Sequence, residues 1–413
     1  MGVDAAWPAT LSAKAPTGAA FQNFPSAKAE PAPAWNRFAH WPRSQALALL
    51  VAFLAMVLAS ALVPITVGKG EIATPLPLAN VIAKDLGGGA AKVKERPRDD
   101  DLKLYDAAIA RINNGENYYR FIVAEHRKAH YPVRPGLAVR LPTLAYLDAW
   151  AGLPGQIAAA LALMLGVLWA WRKRLGEEAG GLEHRNIALA FLFLGASLGM
   201  NRYYFVLHEL WAGMLIALSF GLHRPAQRGD GKPGKWLGAV LAAGLALAIR
   251  EHTLPFVLLM AAYAGWRRAW REAAAWALLV ALFAIGLAIH LHLINAQALP
   301  SDPTGPTWFA LRGLGGWLSN IALSSNLRVL PHWLAGPTVM LMLLGWAGWR
   351  SSAGSFATLL YLGYGLAFMV AGRDDNFYWG AVIAPAMFIG LAFVPMAVKG
   401  LVDAALRKGE VKG

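Results

Sequence analysis

A chain of 413 residues with 57% hydrophobic content, a mean hydropathy of +0.42 and only 15% charged residues is too apolar for a soluble globular protein. Its net charge of +14 at pH 7 does not point to nucleic acid, because much of it sits in short connections between apolar segments and no recognition module accompanies it. With no cysteine there is neither a disulfide framework nor thiol chemistry.

Residues 1–44 are rich in Ala, Pro and Ser and carry Lys14, Lys28, Arg37 and Arg43 with almost no acid, which predicts a flexible cytoplasmic tail. Trp35 and Trp41 read as an interfacial anchor at its end. A first span follows at about Ala46–Val67, long enough to cross the hydrocarbon core. The next interval, from about Gly68 to Gly136, is hydrophilic. Its early part, through the glycine-rich Leu86–Ala91 and the basic Lys92–Arg98, has no periodicity. From Leu102 to Ala129 apolar residues recur at helical spacing, interrupted at Gly115 and Asn117 and ended by Pro132 and Pro135. The run Leu137–Leu153 carries Arg140, Pro142 and Asp148 and suits an interfacial helix better than a span, so that 68–153 forms one long extramembrane loop.

Further spans are expected at about Gly155–Trp171, Asn186–Met200, Glu209–Leu222, Trp236–Ile249, Thr253–Trp266, Ala273–Ile294, Trp333–Trp349, Gly354–Val370 and Trp379–Met396. With the first they make ten, in an all-α polytopic membrane domain over 45–399 with a basic tail at 400–413. If spans alternate, the clusters Arg172–Arg174, Arg224/Arg228/Lys232/Lys235, Arg267/Arg268/Arg271 and Arg350 fall on one side, as do both termini. Positive charge in short loops marks the cytoplasm, which leaves the 68–153 loop outside.

That topology gathers polar residues on the outer face, and ionisable groups at membrane depth are usually paired or functional. Asp101 and Asp106 lie in the first loop; Arg202, His208, Arg250, Glu251, His252 and Arg373 lie at the outer ends of later spans. An arginine fork and nearby histidines suit an anionic group such as a phosphate. Metal signatures are weak. His126 and His130 are four apart, but Arg127 stands where a zinc protease needs Glu. The run Asp99, Asp100, Asp101 resembles a nucleotide-sugar metal site on the wrong side of the membrane for that substrate, and Asp99 and Asp100 also balance Lys92–Arg98 as surface charge.

A first span, then an outward loop with Asp101 four residues before Tyr105, Gly115 before Tyr118 and Tyr119, and Tyr131-Pro132 before an interfacial helix, resembles the GT-C class of membrane glycosyltransferases. The similarity is greatest to the bacterial polyprenyl-phosphate-mannose-dependent branch and covers about forty residues closely. One departure is that Val133 and Arg134, rather than a second proline, follow Pro132. The resemblance implies a bacterial inner-membrane enzyme with its active site on the outer face. It would take a sugar from a polyprenyl-phosphate donor to a hydroxyl on a glycan, lipid or protein acceptor, with inversion. Asp101 then takes the place of the family's general base, with Asp106 as runner-up, and Arg250 with His252, Arg202 or Arg373 holds the phosphate. No cofactor is required by that chemistry; a divalent metal is optional and not indicated. Membrane lipids are the surrounding partners and nucleic acid is not. A lipid or sugar transporter or flippase is the rival class, and it predicts broken helices, internal repeats and charges at mid-span.

Overall fold

Helices carry the apolar composition, and in the computed structural model they are described, with their connections, over residues 34–67, 71–74, 98–225 and 234–407. The first is α1, Arg43–Leu62, which is apolar on all sides. Leu47, Val51, Leu54, Leu58 and Leu62 point away from the protein, spaced three or four apart, as a lipid-facing helix requires. A short antiparallel ribbon, β1 (Thr66–Val67) and β2 (Glu71–Ile72), opens the long loop. The Lys92–Arg98 run lies outside the described residues up to Arg98, as do Arg228, Lys232, Lys408, Lys412 and the tail before Ala34.

The loop then folds as the periodicity anticipated. Helix α2, Asp100–Asn113, and helix α3, Tyr118–Lys128, are separated where Gly115 adopts φ +84°, a left-handed conformation open to glycine. Asn117 caps α3 by accepting a hydrogen bond from the Tyr119 backbone N–H. Tyr118, Phe121, Ile122 and Val123 bury themselves with Ala108, Ile112, Val139 and Ile294 in a core of their own. Helix α4, Thr143–Glu177, contains a break at Gly152 (φ +58°, ψ 179°) next to Pro154, so the expected interfacial segment is the part before the break.

The bundle continues with α5 (Gly181–Ala196), α6 (His208–Leu222), α7 (Leu237–Ile249), α8 (Leu254–Trp266) and α9 (Trp270–Asn295). After a loop come α10 (Gly313–Leu323), α11 (His332–Gly348), α12 (Ser352–Val370), and the short α13 (Ala384–Met387) and final α14 (Val394–Leu406). Among the described residues, five stretches are long and apolar enough to cross a membrane: Arg43–Leu62, Gly136–Glu177, Trp270–Asn295, Ser352–Val370 and Ala384–Leu406. Helices α6 and α7 are apolar but shorter, and α10 falls where no span was expected. The described residues are thus mostly helical and of membrane-spanning character, and five of the ten expected spans correspond to helices of full spanning length.

Two details depart from expectation. Residues 34–42, assigned to a flexible tail, pack into the bundle: Phe38 is buried, the Asn36 amide donates to the Met396 carbonyl at 3.0 Å, and the Trp35 ring sits edge-on to His184. The last expected span is a chain of short pieces, 3-10 turns at Asp374–Val382 and Phe388–Phe393 alternating with α13 and α14. Pro385 and Pro395 each sit in the first turn of an α piece, where the missing N–H costs nothing, and each prevents continuation of the helix before it.

Candidate active site

Four helix ends and two loops meet at the loop-one end of the bundle. Asp101 is in the first turn of α2, where the helix dipole favours a carboxylate. Glu209 opens α6, Arg250 closes α7, and Arg140 immediately precedes α4. The connection between α9 and α10 contributes Trp308, and the turn after α12 contributes Arg373. The cavity they enclose holds about 380 Å³ and is lined by Asp101, Tyr105, Tyr131, Arg140, Arg250 and Arg373 among others.

Asp101 is half-buried and lines the cavity together with the Tyr131 phenol. Burial first, and then that carboxylate, raise the Tyr131 pKa, so the phenol stays a donor. Tyr105 is likewise raised by burial, although Arg140 opposes the shift. Its hydroxyl accepts from Arg140 Nε at 3.1 Å, and the Tyr378 hydroxyl accepts from Arg140 Nη2 at 3.4 Å. The nearest carboxylate to Arg140 is Glu209, at 3.9 Å, so its charge is only loosely compensated.

Arg250 is in the opposite condition. It is completely buried and sits 2.7 Å from the equally buried Glu209 through Nε, while Nη1 donates to Glu251. Two carboxylates therefore offset it, as a buried guanidinium requires. Its Nη2 has no hydrogen-bond partner among protein atoms. Burial raises the Glu251 pKa, but Arg250 and His252 outweigh burial and hold it well below the usual carboxylate range. His252 Nδ1 is 3.4 Å from Glu251, and its ring lies 4.4 Å from that of Trp379, centre to centre. Arg373 reaches the cavity while pairing with Asp375 at 3.1 Å.

Of the residues singled out by sequence, Asp101, Arg250, Glu251, His252 and Arg373 line this cavity; Asp106, Arg202 and His208 do not. Asp106, one helical turn beyond Asp101, faces outward and pairs with Arg98 at 2.8 Å. Arg202 is exposed on a 3-10 turn. His208 is buried behind Tyr105, 5.0 Å between ring centres. Asp100 pairs with Lys103 at 2.7 Å, the surface role expected of it. Arg140 was read only as a charge within the run Leu137–Leu153, and Tyr131 only as part of a motif; the signal was a charge in an otherwise apolar run for the first and the adjoining Pro132 for the second. Among the described residues no three His, Asp or Glu side chains converge as metal ligands.

Comparison with known proteins finds no matching family model, no matching curated protein and no matching solved structure.

Proposed function

We propose that this protein is a membrane glycosyltransferase that moves a sugar from a polyprenyl-phosphate donor to an acceptor hydroxyl with inversion, on the outer face of a bacterial inner membrane. The observation that carries the reading is that Asp101 lines the same cavity as Arg140, Arg250 and Arg373. A base and a cationic cluster in one cavity of about 380 Å³ is what such a reaction needs.

In this mechanism Asp101, beside Tyr131 in the cavity wall, takes the acceptor's proton as the hydroxyl oxygen bonds to the anomeric carbon. The bond from that carbon to the phosphate oxygen breaks, and the electron pair leaves with the lipid phosphate. Arg140 is the cation best placed to meet that charge, because its present partners are neutral hydroxyls and a distant carboxylate. Arg250, held by Glu209 and Glu251, fixes the floor of the site and offers Nη2 alone. This shifts the weight of phosphate binding from Arg250 to Arg140.

Transport of a lipid or sugar is a second reading, favoured by the interrupted run 374–406, whose first turn lines the cavity through Tyr378 and Trp379. Radiolabelled polyprenyl-phosphate sugars supplied to membranes with and without the protein separate the two. The enzyme reading expects label in a new glycoconjugate, and a loss of about 10²–10⁴-fold in Asp101→Asn. Undiminished transfer by that variant removes Asp101 as base. Label that crosses the membrane still attached to its lipid would replace the enzyme reading with the transport one.

A further inference from the structure

A second cavity lies at the other end of the bundle and plays no part in the proposed reaction. It holds about 830 Å³ between the last turns of α4, the end of α6 and the first turns of α7 and α9. Helices α4, α7 and α9 run from this groove to the candidate active site: α7 from Leu237 to the residue before Arg250, and α9 from Trp270 to His290, which bonds the Val139 carbonyl at 3.1 Å. The 26 residues of α9 reach about 39 Å, more than the hydrocarbon thickness, so the two cavities face opposite sides of the membrane.

Its walls are apolar and its mouth is cationic. Trp169 and Trp270 stand at the edge with 51% and 68% of their surface exposed, the position of interfacial aromatics. The Lys173 ammonium lies 4.2 Å from the Trp169 ring centre, which holds it at that level. Arg224 and Lys235 exchange both backbone hydrogen bonds at 2.9 Å and so present two cations side by side, with Arg271 across from them. Lys173, Lys235 and Arg271 have no acidic partner among the described residues; Arg224 shares Glu177. Glu272, the other acid of the lining, is turned inward to His223 at 2.6 Å.

We infer that this groove binds an anionic phospholipid of the cytoplasmic leaflet, its phosphate among Lys173, Lys235 and Arg271 and its acyl chains along the apolar walls. A soluble anion makes no use of those walls, and a zwitterionic lipid has no net charge to offset three cations that lack an acidic partner among the described residues. Basic grooves between membrane helices on the cytoplasmic side bind acidic headgroups by this combination. The pattern differs from ordinary loop charge because the cations converge on a cavity large enough to take a ligand.

Native mass spectrometry of the full-length protein in detergent, titrated with phosphatidylglycerol or phosphatidylcholine, tests the site. Phosphatidylglycerol should be retained and phosphatidylcholine lost. Lys173→Gln, Lys235→Gln and Arg271→Gln should each weaken retention about fivefold. Lys399→Gln, an exposed cation outside the groove that pairs with Asp403, should match wild type. Equal retention of the two lipids, or equal losses from Lys399→Gln and Lys173→Gln, would overturn the assignment, as would displacement of the lipid by inorganic phosphate. Should the groove variants not fold, wild type alone decides: its melting temperature rises with phosphatidylglycerol and not with phosphatidylcholine, and equal shifts refute the proposal.

Discussion

His126 shows how much a single buried side chain can couple the first long loop to pH. It is almost fully enclosed by α3 and the cavity wall, with Nδ1 3.0 Å from the Pro132 carbonyl, the residue after Tyr131. Burial lowers its pKa to about 4; the carbonyl opposes that shift and Arg140 adds to it. The folded state therefore binds fewer protons than the unfolded chain between about pH 4 and the ordinary histidine pKa near 6.5. Stability is retained above that window and falls as pH drops through it, by about 3 kcal/mol in full. Melting temperature measured across pH 4–7 should decline towards acid in wild type and less steeply in His126→Gln. Identical slopes would show that other groups govern acid sensitivity. The paired residues Asp101 and Asp106 make the complementary point. Both are acids on α2, yet Asp106 faces solvent, so Asp106→Asn should leave transfer activity within about twofold, since an exposed ion pair contributes at most about 1 kcal/mol. A loss as deep as that of Asp101→Asn would move the base to Asp106.

Helices in this protein approach one another through glycine, since lipid provides no hydrophobic drive for them to associate. A Cβ on Gly345 of α11 would overlap the Gly390 carbonyl, and one on Gly213 of α6 would overlap the Ala381 carbonyl. Both contacts seat the interrupted run 374–406, whose first turn carries Tyr378 and Trp379 to the cavity. Backbone on backbone leaves no side chain to yield, so Gly345→Ala and Gly213→Ala should each destabilise by roughly 1–3 kcal/mol. Gly286, in the lipid-facing middle of α9, meets nothing within 4 Å, and alanine there should leave the melting temperature unchanged or raise it. If all three variants melt together, close approach is not what seats that run. The expected span at Trp379–Met396 was apolar enough to be read as one helix; two prolines and a series of 3-10 turns break it instead into short pieces that place backbone against the neighbours.

At the scale of the whole molecule, the proposed chemistry requires that the Asp101 end of the bundle face out. Basic residues crowd the end opposite Asp101, including Arg172, Lys173, Arg267, Arg268 and Arg350. Because the chain has no cysteine, a single introduced one reports its own side of the membrane. In right-side-out vesicles an impermeant maleimide should label Lys103→Cys at once and Arg172→Cys only after permeabilisation; both positions are exposed. The reverse pattern would place the cavity in the cytoplasm and remove the lipid-phosphate donor reading with it.

Hydropathy, charge and turn-forming residues act over a few neighbours, which is why the membrane class, the helices of loop one, the break at Gly115 and a list of polar residues at segment ends were legible along the chain. The candidate site was legible only as that list. Arg140 and Arg202 look alike in sequence, each a cation near tyrosines; packing turns Arg140 into the cavity and leaves Arg202 in solvent. Arg250 was read as a phosphate fork beside Glu251, yet Glu209, forty-one positions earlier, also closes on it because α6 and α7 lie side by side. Which charge is compensated depends on which helix ends meet, and that is settled by the fit of whole helices against one another rather than by the residues beside each charge in the chain.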